Sequence, residues 1–309
     1  MPRDDDVTAA WEGEHVKIAF NLLVLGAEIT TAHGRQLERL KALGYDAVEI
    51  PVFFGKPDHY AALGKMLRDI GLSAGAAAVA TQEANPVSAD PTVRRRARDH
   101  HRWIVDCTQA MGGEVIAGPL HSPVGVFTGF GPTSNERGRC VEAMRALAEY
   151  AASAGIRISA EAVNRFECYL MSTIAAASEI YGEVGHPNYG YMFDTFHANI
   201  EEKDPPATYE RYHREINHYH VSENDRGIPG TGHVPFAAHF EALRRCEYDG
   251  WLTVESFSRA LPELAGATRV WRDLFDDLDT LFAESIAFIR REWDIAGERA
   301  PSGSKGAAQ

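Results

Sequence analysis

Four apolar runs in the second half of the chain end on side chains that can hold a metal: Ile-Ser-Ala-Glu161, Tyr-Met-Phe-Asp194, His218-Tyr-His220 and Leu-Thr-Val-Glu255. Taken singly, each is ambiguous. A carboxylate at the end of a strand is commonly a helix N-cap or an ion-pair partner, and a lone histidine is commonly a hydrogen-bonded structural residue. Together they specify chemistry, because three carboxylates meeting at one place repel one another and raise each other's pKa unless a cation neutralises them. Three carboxylates and one imidazole form a mostly hard donor set. It suits Mn²⁺ first, with Mg²⁺ or Co²⁺ next, and it leaves coordination positions open. A substrate presenting a carbonyl beside a hydroxyl can chelate such an ion, which acidifies the neighbouring C–H by stabilising an enediolate. A proton can then be moved at carbon, with no organic cofactor required.

The elements that must position these residues follow from the periodicity. Short β-rich apolar runs at 17–22, 47–50, 72–78, 114–117, 157–161, 191–194, 218–221 and 252–255 alternate with amphipathic stretches at 30–43, 58–70, 91–111, 134–154, 172–184, near 209–214, at 236–246 and within 270–293. Gly44, Gly71, Gly112 and Gly155 stop four of those helices. Strand-then-helix alternation repeated eight times predicts an α/β fold, a TIM-type (β/α)₈ barrel of the xylose isomerase-like kind, with its active site at the C-terminal ends of the strands. No GxGxxG follows the first strand, as an open dinucleotide-binding sheet would require. One catalytic domain is expected over 14–295, with mobile termini at 1–13 and 296–309.

Composition narrows the partners. The formal net charge of −13 opposes nucleic acid and acidic membranes, and the run Arg94, Arg95, Arg96 and Arg98 reads as a solvated helix face. No apolar run approaches the ~20 residues of a bilayer span, so the expected location is cytoplasmic. Cys107, Cys140, Cys168 and Cys246 form no CxxC pair and read as reduced thiols.

Several segments together resemble the D-tagatose 3-epimerase and D-psicose 3-epimerase family of ketose 3-epimerases. They are Glu161-Ala-Val-Asn-Arg-Phe-Glu167, Asp194-Thr-Phe-His-Ala-Asn-Ile-Glu-Glu202, His218-Tyr-His220 with Glu223-Asn-Asp-Arg226, Gly230-Thr-Gly232-His, and Val270-Trp-Arg-Asp273. The resemblance covers most of residues 17–293. It implies that Glu161, Asp194, His220 and Glu255 bind the metal, and that Glu161 and Glu255 are also the two acid/base groups, one on each face of the sugar C3. Inverting a stereocentre needs such a pair. It further implies that Glu167, His197 and Arg226 hold the C1 to C3 oxygens, that Phe257 sits above the sugar, and that the chain assembles as a dimer or tetramer.

The chain departs from the family pattern in two places. Phe20-Asn-Leu-Leu-Val24 replaces the family's aromatics after strand one. Pro119-Leu-His121-Ser-Pro-Val-Gly-Val-Phe127-Thr-Gly-Phe130 replaces a Trp-containing loop after strand four. His121 can be read in two ways, as a substrate contact or extra acid/base group, or as a cap within its loop. His218 and His233 are expected near the ligands. His100, His101, His186, His213 and His239 are expected on the surface.

Epimerisation of a free ketose at C3 is therefore the first expectation. The alternative is a metal-dependent lyase of the same superfamily that cleaves 3-keto-glycosides together with a small partner subunit, suggested by His121, Phe127 and Phe130. A three-zinc endonuclease shares the Asp194 to His197 spacing but needs histidines after strands two and three. There the chain has Glu49-Ile-Pro51 and Ala77-Ala-Val-Ala80. A non-catalytic sugar-binding barrel has no need of paired carboxylates.

Overall fold

The structure is a computed structural model and describes residues 16–299. Eight parallel strands close into a barrel in chain order: β1 (Lys17–Asn21), β2 (Ala47–Pro51), β3 (Ser73–Ala77), β4 (Val115–Gly118), β5 (Arg157–Glu161), β6 (Tyr189–Asp194), β7 (Ile216–Val221) and β8 (Trp251–Val254). The helices are α1 (Gly34–Leu43), α2 (Pro57–Ile70), α3 (Pro91–Met111), α4 (Ser134–Ser153), α5 (Ile174–Val184), α6 (Thr195–Glu201), α7 (Pro205–Tyr212), α8 (Phe236–Arg245), α9 (Pro262–Thr268) and α10 (Leu278–Arg299). The expected TIM barrel is the observed fold.

Period-2 alternation divides each strand between two environments. Ile18, Phe20, Val48, Ile50, Ile158, Phe193, Tyr219, Leu252 and Val254 point outward into the main core under the helices. Ala19, Ala47, Val115 and Trp251 form a separate small cluster inside the barrel. Above it the interior turns polar, with Asn21, Glu49, Ser159, His218 and Thr253 all buried. The barrel is thus plugged by apolar groups at one end and opens into chemistry at the other.

Register sets which of these residues meet. Asn21 lies beside Glu49 across β1 and β2, Asp194 beside His220 across β6 and β7, and His220 beside Thr253 across β7 and β8. The β6–β7 pairing shifts register between Tyr191 and Met192, a local irregularity of the kind that re-aims the side chains beyond it.

Several boundaries differ from expectation. Glu255 lies one residue past β8, although its N–H still reaches the Val221 carbonyl at 3.3 Å. The single short helix expected near 209–214 is two helices, because Asp194 caps α6 and Asp204, followed by two prolines, caps α7. Of the last expected stretch, 270–293, the part from 278 onward is helical and the helix runs on to Arg299, since Asp277 accepts the Thr280 N–H and starts the helix there. Residues 296–299 therefore belong to α10 and not to a mobile tail, while 1–13 and 300–309 lie outside the described residues. Helix α9 was not expected at all. Among the described residues no helix is long and apolar enough to cross a membrane.

Candidate active site

The carboxylates of Glu161, Asp194 and Glu255 and the imidazole of His220 converge at the C-terminal mouth of the barrel, each buried, with one donor atom from each within 4.8 Å of the others. His220 Nδ1 is 3.6 Å from both Asp194 Oδ2 and Glu255 Oε1 and has no hydrogen-bond partner. A buried ring nitrogen aimed at two carboxylate oxygens, each too far for a hydrogen bond, is the arrangement a cation between them requires. The residues therefore fit the expected divalent ion.

The electrostatics agree. Three buried carboxylates of the cage (Glu161, Asp194 and Glu255) share one guanidinium, that of Arg226. Burial, with Glu255 and Asp194 nearby, raises the Glu161 pKa despite its contact with His197. Burial also opposes ionisation of Asp194, but Arg226 and the facing histidines override it and hold Asp194 far below the usual carboxylate range. Burial would depress His220, yet Glu49 and Glu255 lift it well above an ordinary histidine.

Asp194 serves two purposes. Oδ1 accepts the N–H groups of Phe196 (2.6 Å) and His197 (3.3 Å) as the N-cap of α6, whereas Oδ2 faces Ser222 Oγ, Arg226 and the cage. Capping α6 places His197 over Glu161, with Nε2 3.3 Å from Oε1. The main-chain N–H of Asn164 donates to His197 Nδ1 (3.2 Å), while Nε2 faces both Glu161 Oε1 and the Arg226 guanidinium, whose Nη2 is 3.1 Å away. The Asn164 side chain also donates to Glu167 Oε1 at 2.9 Å, linking two of the expected substrate residues.

Arg226 is held in the left-handed region (φ 67°), an uncommon conformation for a bulky side chain. The Glu223 carboxylate, which accepts the N–H groups of Asn224, Gly230 and Val234, organises the loop that imposes it. The guanidinium lies 3.8 Å from the Phe196 ring centroid and 4.9 Å from that of Phe257. Its Nη1 donates to Glu255 Oε2 (2.7 Å) and Asp194 Oδ2 (3.1 Å).

A cavity of about 380 Å³ opens onto this cluster, within the range of small-molecule sites. Glu161, Glu167, His197, Arg226, Glu255 and Phe257 line one end of it. Its remaining walls are largely apolar and include Leu23, Val79, Pro119, Val124, Val126 and Leu264. Helix α9, which the sequence reading missed, supplies part of that wall. A bidentate ion pair between Arg259 and Asp273 closes the base of its loop.

Several histidines sit elsewhere than expected. His121 does not line the cavity. It is fully buried, with Nε2 2.8 Å from the Glu161 carbonyl oxygen and Nδ1 2.9 Å from Ser122 Oγ, and burial lowers its pKa to about 4. It braces the strand that carries Glu161, closer to the competing loop role than to substrate contact. Phe127 and Phe130 are solvent-exposed and do not line the cavity either. His101 and His239, expected on the surface, are buried in helix-to-barrel packing, whereas His233 is exposed, with its ring 3.5 Å from the Asn199 amide and its main-chain N–H donating to Asn224 Oδ1.

Sequence reasoning gave no role to Glu49, Asn21 or Asn164. Glu49 had a signal: a glutamate at the centre of the apolar run Ala47–Pro51, in a strand buried on both faces, is an anomaly that needs a buried partner.

Residues 37–292 match a family model described as a xylose isomerase-like TIM barrel. The chain is 34% identical over 253 residues to an L-ribulose 3-epimerase of Methylomonas sp. (strain DH-1), covering 81% of this chain and 88% of that protein. The crystal structure of a D-allulose 3-epimerase from Methylomonas sp. in complex with D-allulose superposes with a TM-score of 0.84 at 31% identity, over 90% of this chain and 97% of that one. A structure of L-ribulose 3-epimerase superposes with a TM-score of 0.86 at 29% identity, over 95% and 100% of the two chains.

Proposed function

The chain belongs to the ketose 3-epimerases of the xylose isomerase-like barrel family, enzymes that epimerise carbohydrates, and from that premise we propose that it inverts C3 of a free, unphosphorylated ketose by removing a proton from one face and returning one to the other. The observation that carries this reading is the convergence of Glu161 and Glu255, from β5 and the end of β8, on one cavity. Two carboxylates brought by different strands supply the base and the acid that a stereochemical inversion needs.

In this reading Glu161 takes or returns the proton on one face of C3 and Glu255 on the other, exchanging roles with the direction of reaction. Glu167, His197 and Arg226 orient the oxygens of C1 to C3, and Phe257 covers the sugar and excludes water. A divalent ion held by Glu161, Asp194, His220 and Glu255, with Mn²⁺ preferred, supplies the positive charge that stabilises the oxyanion beside C3. Among the described residues, Arg226 is the one lysine or arginine in the cavity lining, and Asp194 and Glu255 already engage it. A phosphate would find no free cation there, which supports a neutral substrate. The lyase alternative rested on His121, Phe127 and Phe130, and none of the three lines the cavity.

The test is to incubate the Mn²⁺-loaded protein with D-fructose, D-psicose, D-tagatose and L-ribulose in D₂O and to follow C3 by NMR. Deuterium at C3 with accumulation of the epimer is the expected result. A folded, metal-loaded protein that exchanges nothing on any of the four would overturn the reading.

A further inference from the structure

Directly beneath the candidate metal cage lies a carboxylate that the proposed reaction does not use. Glu49 is completely buried inside the barrel, yet both of its oxygens are fully employed. Oε1 accepts from Thr253 Oγ1 (2.7 Å) and faces His218 Nε2 (2.5 Å). Oε2 faces His220 Nε2 (3.0 Å) and accepts from the Asn21 amide (3.2 Å). Four donors around one carboxylate satisfy a charge that would otherwise be very costly to bury.

These contacts have a direction. A carboxylate accepting four hydrogen bonds offers no proton of its own, so the proton between the two groups belongs to His220 Nε2, and Nδ1 is the nitrogen left to give its lone pair to a cation. That Nδ1 is the partnerless atom 3.6 Å from Asp194 and Glu255. The Asn21 amide nitrogen carries the same control to a second cage member, because it also donates to Glu255 Oε1 at 3.0 Å. Asn21 Oδ1 accepts the Leu23 N–H (3.0 Å), which fixes which face of the amide points inward.

We infer that Glu49 is a positioning residue: it fixes the tautomer and ring orientation of His220 and, through Asn21, the placement of Glu255 Oε1, so that both present lone pairs to the same cation. The inference rests on the metal-centre reading above and adds residues on β1 and β2 to a site otherwise built from β5 to β8. Carboxylates that accept from the far nitrogen of a metal-bound histidine raise its basicity and restrict its rotation, and losing one weakens metal binding by roughly 10- to 100-fold.

The experiment titrates Mn²⁺ calorimetrically into the wild-type chain and into Glu49→Gln, recording the electron paramagnetic resonance spectrum of bound Mn²⁺ and thermal unfolding in parallel. The expected result is a folded variant that binds one Mn²⁺ roughly 10- to 100-fold more weakly, with an altered Mn²⁺ spectrum. A folded variant with unchanged affinity and spectrum, whether or not its unfolding temperature falls, overturns the role of Glu49 and leaves the metal centre standing. A wild-type chain that binds no Mn²⁺ overturns the metal centre itself. If Glu49→Gln does not fold, the His220 tautomer decides: long-range ¹H–¹⁵N spectra of the wild type loaded with diamagnetic Mg²⁺ must place the proton on Nε2. A proton on Nδ1 overturns the proposal.

Discussion

Arg226 Nη1 lies 2.7 Å from Glu255 Oε2, while the other oxygen of the same carboxylate faces Asn21 and Nδ1 of His220. Glu255 is thereby divided, with one oxygen held by a fixed cation and one turned to the cage. Removing Arg226 takes a positive charge from beside the cage and leaves Asp194 and Glu255 less compensated. Arg226→Ala should therefore bind Mn²⁺ at least as tightly as wild type, while its metal-free form loses about 3–5 kcal/mol of stability, as buried pairs do when one partner is deleted. Calorimetric titration and urea unfolding check both halves, and weaker Mn²⁺ binding would contradict the electrostatic account.

Glu161→Gln and Glu255→Gln should each lower turnover by about 10²- to 10⁴-fold, the usual contribution of a general acid or base. Circular dichroism should show an intact barrel in both. Near-normal epimerisation by either variant would mean that one carboxylate suffices.

Chelation should stop turnover and lower thermal stability together. A cation that binds only the folded chain stabilises it by about 2.7 kcal/mol at a hundred times its Kd. The unfolding temperature should thus rise steadily with added Mn²⁺, and a flat dependence would count against the cage.

Burial lowers the pKa of His101 to about 4 and that of His239 to about 3. Both stay neutral in the folded protein, whereas the unfolded chain takes up protons at the ordinary histidine value near 6.5. Their contribution is complete above about pH 6.5 and is lost as pH falls toward the folded values, by about 2 kcal/mol per histidine between pH 7 and pH 5. Urea unfolding at the two pH values measures it, and His239→Phe should shrink the difference.

Two helical glycines should respond to alanine in opposite ways. A Cβ on Gly64 in α2 would lie 2.0 Å from the Met111 carbonyl oxygen at the end of α3, so Gly64→Ala must push the helices apart and destabilise the fold. Gly182 in α5 has open space around its Cβ position, and Gly182→Ala should stabilise by about 0.8–1 kcal/mol from helix propensity alone. Thermal unfolding of the pair separates a close helix approach from simple backbone entropy.

The sequence by itself determined the barrel and its four convergent donors. Alternating apolar runs and glycine-stopped helices are local patterns, and a parallel barrel sends the last residues of successive strands to one mouth whatever the details of packing. Glu161, Asp194, His220 and Glu255 were legible for that reason. Tertiary structure decided what depends on which side chains meet across 30 to more than 200 residues of chain. His121, judged by its position after a strand, turned out to be a buried brace on the Glu161 main chain because its ring packs inward. His101 and His239 lie inside because helix faces, not residue polarity, set their burial. Glu49 and Asn21 became part of the site only when the barrel closed β1 against both β2 and β8 and brought residues 21, 49, 220 and 255 into one hydrogen-bonded set. No local pattern encodes that meeting, since it arises from barrel closure and register.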